Sequence, residues 1–121
     1  MRFRVVNLTG NKYIECLPDG GLIESERDAL DLVAICGENQ IHRLMIHASN
    51  LADDFYHLST GLAGTVLLKF SNYSVKVAAI LPPEQATQGY FKDMVLEANR
   101  RNRLFHVFYD PKKAGEWLVA E

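Results

Sequence analysis

A short polar segment in the middle of the chain has residue types that could bind an anion. Ser59, Thr60 and Gly61 stand directly before a run of small and apolar residues that predicts a helix. Free backbone N–H groups and the positive end of the helix dipole favour a negative group at that position. We therefore predict a phosphorylation or anion site here. The alternative is that the hydroxyls only cap the helix, as serine and threonine commonly do.

A second set of polar side chains lies in the region before this segment. His47, Asp53, Asp54 and His57 fall in one loop region. Two imidazoles and two carboxylates could bind zinc or manganese, or act as acid and base. Their spacing matches no recognised metal motif, so we predict a ligand edge without assigning a metal, a cofactor or a catalytic residue. In the alternative interpretation, the aspartates cap a short turn and His47 lies at the edge of the core.

The chain has one basic cluster, formed by Arg100, Arg101 and Arg103 with Lys92 one or two turns upstream. It follows a predicted helix, where cations are favourable in any case. The formal net charge of -2 provides no general attraction for nucleic acid or for anionic lipid. We therefore predict a solvated helix end and neither a nucleic-acid nor a membrane partner.

Length and composition predict one soluble domain over residues 1–121. An apolar content of 48% with 23% charged residues is ordinary for such a domain. Cys16 and Cys36 have no motif spacing and lie in or beside apolar stretches, so we expect buried, reduced thiols. The first residues follow a strand pattern rather than that of a secretory signal. Together these features predict a cytoplasmic protein.

Hydrophobic periodicity and turn residues divide the chain into strands and helices. Alternating or continuous apolar patterns predict strands at about 3–8, 12–16, 43–47, 76–81 and 104–109. Helical patterns predict helices from a Ser25 cap to about 38, and at about 60–72, 88–99 and from 111 to the chain end. The predicted order is β-β-α-β-α-β-α-β-α.

This order predicts an α/β fold with a single mixed, mostly parallel sheet of about five strands and helices packed on it. The first two strands supply the antiparallel pair. In open sheets of this class, sites gather outside the carboxyl ends of the strands. We therefore expect residues 18–24, 47–61 and 82–89 to form the functional edge.

The central sequence closely resembles an uncharacterised bacterial family that is described only as a domain of unknown function. The matching positions cover Asp54-Phe55, Leu58, Thr60 to Gly64, Leu68, Phe70, Asn72-Tyr73, Val75-Lys76, Ala78, Phe91 to Asp93, Glu97 and Asn99. The resemblance extends over nearly the whole chain. Where that family often has an acidic turn after the fourth strand, this chain has Leu81-Pro82-Pro83.

A more remote resemblance is to STAS domains, named for sulfate transporters and anti-sigma-factor antagonists, which share the predicted element order. Their second helix begins with a segment similar to Asp-Ser-Ser-Gly-Leu-Gly, and its second serine is phosphorylated. Ser59 and Thr60 take the two serine positions, Gly61-Leu62 follows, and Leu58 replaces the aspartate. The resemblance implies that Thr60 is a candidate switch.

Three functional hypotheses follow. The first is a non-enzymatic, STAS-like regulatory module that binds a protein partner around the second helix and is switched by phosphorylation at the start of that helix. The second is a small-ligand or metal-binding protein, or an enzyme, that uses the carboxyl edge of the strands. The third is a structural homodimer formed through the hairpin edge or an apolar helix surface.

Overall fold

Five strands form one open sheet in the computed structural model, which describes residues 1–120. In chain order the strands are β1 (Phe3–Leu8), β2 (Asn11–Cys16), β3 (Arg43–His47), β4 (Lys76–Ile80) and β5 (Phe105–Phe108). They lie side by side in the same order as in the chain. The pair β1 and β2 is antiparallel, and each later neighbouring pair is parallel. The predicted mixed, mostly parallel sheet is confirmed.

Helices follow the strands at nearly the predicted positions. They are α1 (Glu26–Asn39), α2 (Leu62–Asn72), α3 (Pro83–Ala86), α4 (Gly89–Arg101) and α5 (Pro111–Val119). The predicted caps are present, because Ser25 accepts from the Asp28 N–H and Asp110 accepts from the Lys112 N–H. The single turn α3 was not predicted; Pro83 occupies its first position, where a missing N–H costs no helical hydrogen bond.

The sheet is covered on both faces, but unequally. The side chains of Leu44 and Ile46 lie in the larger apolar core with α1, α2 and α4. The intervening Met45 lies in a smaller core with α5, as the alternation of a strand requires. Gly115 lets α5 approach the sheet closely, because an added Cβ would lie 3.2 Å from the Tyr13 hydroxyl.

None of the helices described in residues 1–120 is both long and apolar enough to cross a membrane.

The outer edge of β5 is paired by a side chain from α4. The Asn99 amide donates to the Val107 carbonyl at 3.1 Å and accepts from the Val107 N–H at 2.7 Å. It therefore takes the place that a sixth strand would occupy at this residue. Such pairing limits edge-to-edge association of sheets.

We expect Asn99→Ala to lower the free energy of unfolding by about 1–2 kcal/mol, because both hydrogen bonds to Val107 are lost at a partly buried site. Asn99→Asp retains an acceptor for the N–H but sets a carboxylate oxygen against the Val107 carbonyl oxygen, so it should lose at least as much. Chemical denaturation measures both variants. A loss below about 0.3 kcal/mol for Asn99→Ala would show that the amide does not stabilise the edge.

Candidate functional site at the carboxyl edge of the sheet

Two of the predicted edge segments pair directly. Ile23 forms an isolated parallel bridge with Leu51, and the Ser49 hydroxyl donates to the Pro18 carbonyl at 2.6 Å. These contacts join the loop after β2 to the loop after β3. The strand ends thus form a continuous surface, as expected from the parallel order.

Asn50 is the buried polar side chain that holds this junction together. Its amide nitrogen donates to the carbonyls of Leu17 at 2.9 Å and Gly21 at 3.1 Å, and its amide oxygen accepts from the His47 N–H at 2.9 Å. The side chain is completely buried and fully bonded. Sequence analysis missed it, because nothing in the local pattern marks an asparagine as buried.

An aromatic cluster fixes the long loop that follows β3. Phe55 and Tyr56 lie in a 3-10 turn, and both pack against Phe91 of α4 with ring centroids 6.0 and 5.1 Å away. The turn also contacts α2. The Tyr56 hydroxyl lies 3.4 Å from Gln85 Oε1. The third predicted edge segment, residues 82–89, therefore also contacts this loop. Burial raises the pKa of Tyr56 to about 12, so the phenol stays protonated.

Thr60 lies on the surface at the entrance to α2. Its hydroxyl is 2.8 Å from the carbonyl oxygens of both Asp54 and His57, and it accepts from the Leu62 N–H at 3.3 Å. The residue itself remains exposed. The hydroxyl thus ties the preceding loop to the first residue of the helix.

The helix begins slightly later than the sequence suggested. Leu58–Thr60 form a 3-10 turn, Gly61 takes the cap position with φ of 80°, and α2 starts at Leu62. Neither Ser59 nor Thr60 is therefore the cap residue itself. A left-handed backbone at this point favours glycine over residues with a side chain. The tight turn brings the Thr60 hydroxyl back onto the loop.

The structure divides the predicted ligand edge into separate contacts. His57 Nε2 lies 3.2 Å from Asp53 Oδ2 on the surface, and Asp54 contributes its carbonyl to Thr60. His47 instead bonds a residue of the neighbouring strand. Within residues 1–120, no three His, Cys, Asp or Glu side chains come together in a group that could hold a metal ion.

The partner of His47 is Glu15 of β2, which sequence analysis did not select. His47 Nε2 lies 2.7 Å from Glu15 Oε2, and Arg4 Nε donates to Glu15 Oε1 at 2.8 Å. The Glu15 side chain is only 10% exposed. Burial on its own would raise the pKa of Glu15, but the hydrogen bonds from His47 and Arg4 outweigh it and lower the pKa. The carboxylate links β1, β2 and β3 where the long loop begins.

We expect Glu15→Gln to reduce the free energy of unfolding at pH 7 by about 1–3 kcal/mol, because a buried, charge-assisted hydrogen-bond pair is lost. The stabilisation by a carboxylate with a lowered folded-state pKa is present above the unfolded pKa of about 4.3 and is lost as the pH falls through the folded pKa. The difference between wild type and variant should therefore shrink in acid.

Denaturant titrations between pH 7 and pH 3 measure that difference. The control is Glu38→Gln, which changes an exposed carboxylate and should stay within about 0.5 kcal/mol of wild type at each pH. A Glu15→Gln deficit that is constant across the range would contradict the assigned role of the charge.

We expect Thr60→Val to lower the free energy of unfolding by about 1 kcal/mol, because it keeps the side-chain shape and removes the hydroxyl contacts. Ser59→Ala is the matched control, since the hydrogen bonds described for this turn use Thr60 and not Ser59. Thermal and chemical unfolding compare the two. If Thr60→Val and Ser59→Ala lowered the free energy of unfolding equally, the Thr60 hydroxyl would have no special role in holding this turn.

Comparison with known proteins gives one family. The model of the family described as "Domain of unknown function (DUF4180)" matches residues 8–118. No curated protein and no solved structure matches the chain. The matched segment extends from Leu8, the last residue of β1, to Leu118 of α5, and so includes β2 to β5 and all three edge segments. The chain belongs to the DUF4180 family.

Proposed function

We propose that the chain is a non-enzymatic protein-interaction module whose binding surface lies around α2 and is switched by phosphorylation of Thr60. One observation carries the proposal. The exposed Thr60 hydroxyl holds the carbonyls of Asp54 and His57 and the N–H of Leu62 in one arrangement. A covalent change at this oxygen therefore alters the loop and the first turn of α2 together.

The chemistry of a phosphate makes that change large. A phosphorylated oxygen has no proton to donate, so the bonds to the two carbonyl oxygens are lost. The group adds about -1.5 to -2 charges, which the carbonyl oxygens repel and the N–H groups at the start of a helix attract. We expect residues 54–61 to rearrange, while the sheet below keeps its structure.

The resemblance to STAS domains supports the same assignment. The strands and longer helices occur in the β-β-α-β-α-β-α-β-α order of that class, and α3 is a single added turn. Ser59-Thr60-Gly61-Leu62 lies at the entrance to the second helix, where the STAS regulatory segment lies. Leu58 replaces the STAS aspartate, so an enzyme that modifies Thr60 would need to read a different local sequence.

Exposed apolar side chains around α2 support a protein partner. Leu58 is 38% exposed, and Leu68 and Tyr73 are 56% and 53% exposed. All three lie on α2 or in the residues that flank it. A partner that covers such apolar side chains stabilises the complex by about 25 cal/mol for each Å² of apolar surface removed from water.

The two cysteines are unsuited to nucleophilic catalysis. Both thiols are free and buried. Burial raises the pKa of Cys16 to about 12 and that of Cys36 to about 11, so neither supplies a thiolate nucleophile at neutral pH. Buried, reduced thiols also fit the cytoplasm that the sequence predicted.

The test compares tagged wild type with Thr60→Glu by quantitative capture from the native cells. We expect Thr60→Glu to change the recovery of at least one specific partner by about fivefold, or about 1 kcal/mol in binding free energy. The control is Thr9→Glu, since Thr9 is also exposed and its hydroxyl also donates to a backbone carbonyl. Equal recovery with wild type and Thr60→Glu would contradict the proposed switch.

A further inference from the structure

A groove of about 410 Å³ opens between α2 and α4, over the start of β5. Most of its lining is apolar: Leu67 comes from α2, Met94 and Ala98 from α4, and Phe105 from β5. Leu67 and Met94 are partly exposed although they pack against the core. The groove therefore presents apolar surface to water beside the helix to which we assign partner binding.

The groove follows one face of α4. Met94, Ala98 and Arg101 lie four and three residues apart on α4, which is the spacing of one helical face. On α2 the lining residue is Leu67, and Ser71, one turn farther along, lines a small separate cavity of about 20 Å³. Both helices connect parallel strands, so they run side by side in the same direction. Seven residues of helix span about 10 Å, enough for two turns of a docked helix.

The rim of the groove at the end of α4 is positively charged. Arg101 lines the groove, with its Nε 3.5 Å from Glu97 Oε1, and Arg100 and Arg103 lie beside it on the surface. The last residues of α4 and the turn after it thus carry three arginines, of which Arg101 contacts Glu97, although the chain as a whole carries a net charge of -2. This local excess favours a partner with acidic side chains next to its apolar ones.

Gly64 leaves open space on the outer surface of α2. It lies three residues before Leu67, on the same line of α2, and it is exposed. An added Cβ would meet no atom within 4 Å in the described chain, so internal packing does not require glycine. At Gly115, in contrast, the Tyr13 hydroxyl accounts for the small residue. Glycine in a helix is less favourable than alanine, and at this position it leaves room for a partner's backbone to approach α2.

We infer that this groove receives an amphipathic helix of a partner protein, with apolar residues spaced i, i+4 and i+7 on one face and acidic residues flanking them. The apolar residues pack on Leu67, Met94 and Phe105. The acidic residues pair with the arginines at the end of α4, and the helix backbone passes close to Gly64. This inference rests on the proposed function, because it names the class of partner that binds at α2.

The test uses a designed helical peptide of about 14 residues, long enough to hold helical structure when docked. It carries leucines at i, i+4 and i+7 and flanking glutamates, and a control peptide carries lysines in place of the glutamates. Each is titrated into isotope-labelled wild-type protein, and amide chemical shifts are followed. We expect saturable shifts at Leu67, Met94, Ala98 and Phe105, and binding of the lysine peptide that is weaker by about tenfold.

Two variants test separately the charge of Arg101 and the open space at Gly64. Arg101→Glu should weaken binding of the glutamate peptide by about tenfold and strengthen binding of the lysine peptide.

Gly64→Gln should raise the melting temperature of the protein by about 2–5 °C, because glutamine has the higher helix propensity, and should still weaken binding of the peptide. Gly37→Gln is the matched control, because Gly37 is also an exposed glycine of a helix with an open Cβ position. It should raise the melting temperature and leave binding unchanged.

Absence of saturable shifts in the groove, or equal binding of the two peptides, would overturn the inference. It would also be overturned if light scattering and concentration-dependent shifts showed that a second copy of the chain covers the groove. If Gly64→Gln bound the peptide as wild type does, the proposal that the partner helix passes close to Gly64 would be overturned. These titrations use protein unmodified at Thr60, so their failure is distinct from equal partner recovery by wild type and Thr60→Glu.

Discussion

Burial of Phe55 is the constraint on which the functional surface depends. Its ring is completely buried and packs against Phe91 of α4, and the turn that contains it also contacts α2. A long loop that would otherwise have many conformations is thereby fixed on the core. The position of Thr60 and the start of α2 at Leu62 follow from this anchor. The loop fills the space beside the two helices near the carboxyl edge, whereas farther along them Leu67 and Met94 leave a groove open.

The two surfaces assigned to α2 are physically connected. Thr60 is bonded to the first residue of the helix, and Leu67 lies more than one turn farther along the same helix. Under the proposed function, the change in residues 54–61 reaches the first turn of α2, whose later residues include Leu67 of the groove. We therefore propose that a phosphate at Thr60 influences partner binding through α2 and not by touching the partner.

The sequence was sufficient to predict the sheet, because strands that alternate with helices and connect by right-handed crossovers can be arranged in only a few ways. It also located the edge at which residues 18–24 and 47–61 meet. It could not identify Glu15 as the partner of His47, since that contact joins residues 32 apart through the register of β2 and β3. Nor could it show the groove, whose walls come from α2 and α4 and whose width depends on tertiary packing.

Hydrogen exchange of wild type and Thr60→Glu, followed by mass spectrometry, tests the proposed switch most directly. A negative charge at Thr60 breaks the contacts to Asp54 and His57, so we predict faster exchange in residues 54–64. Amides of β3 and β4 should exchange at the wild-type rate, because the sheet is not altered. Identical exchange throughout the two proteins would contradict the role assigned to Thr60.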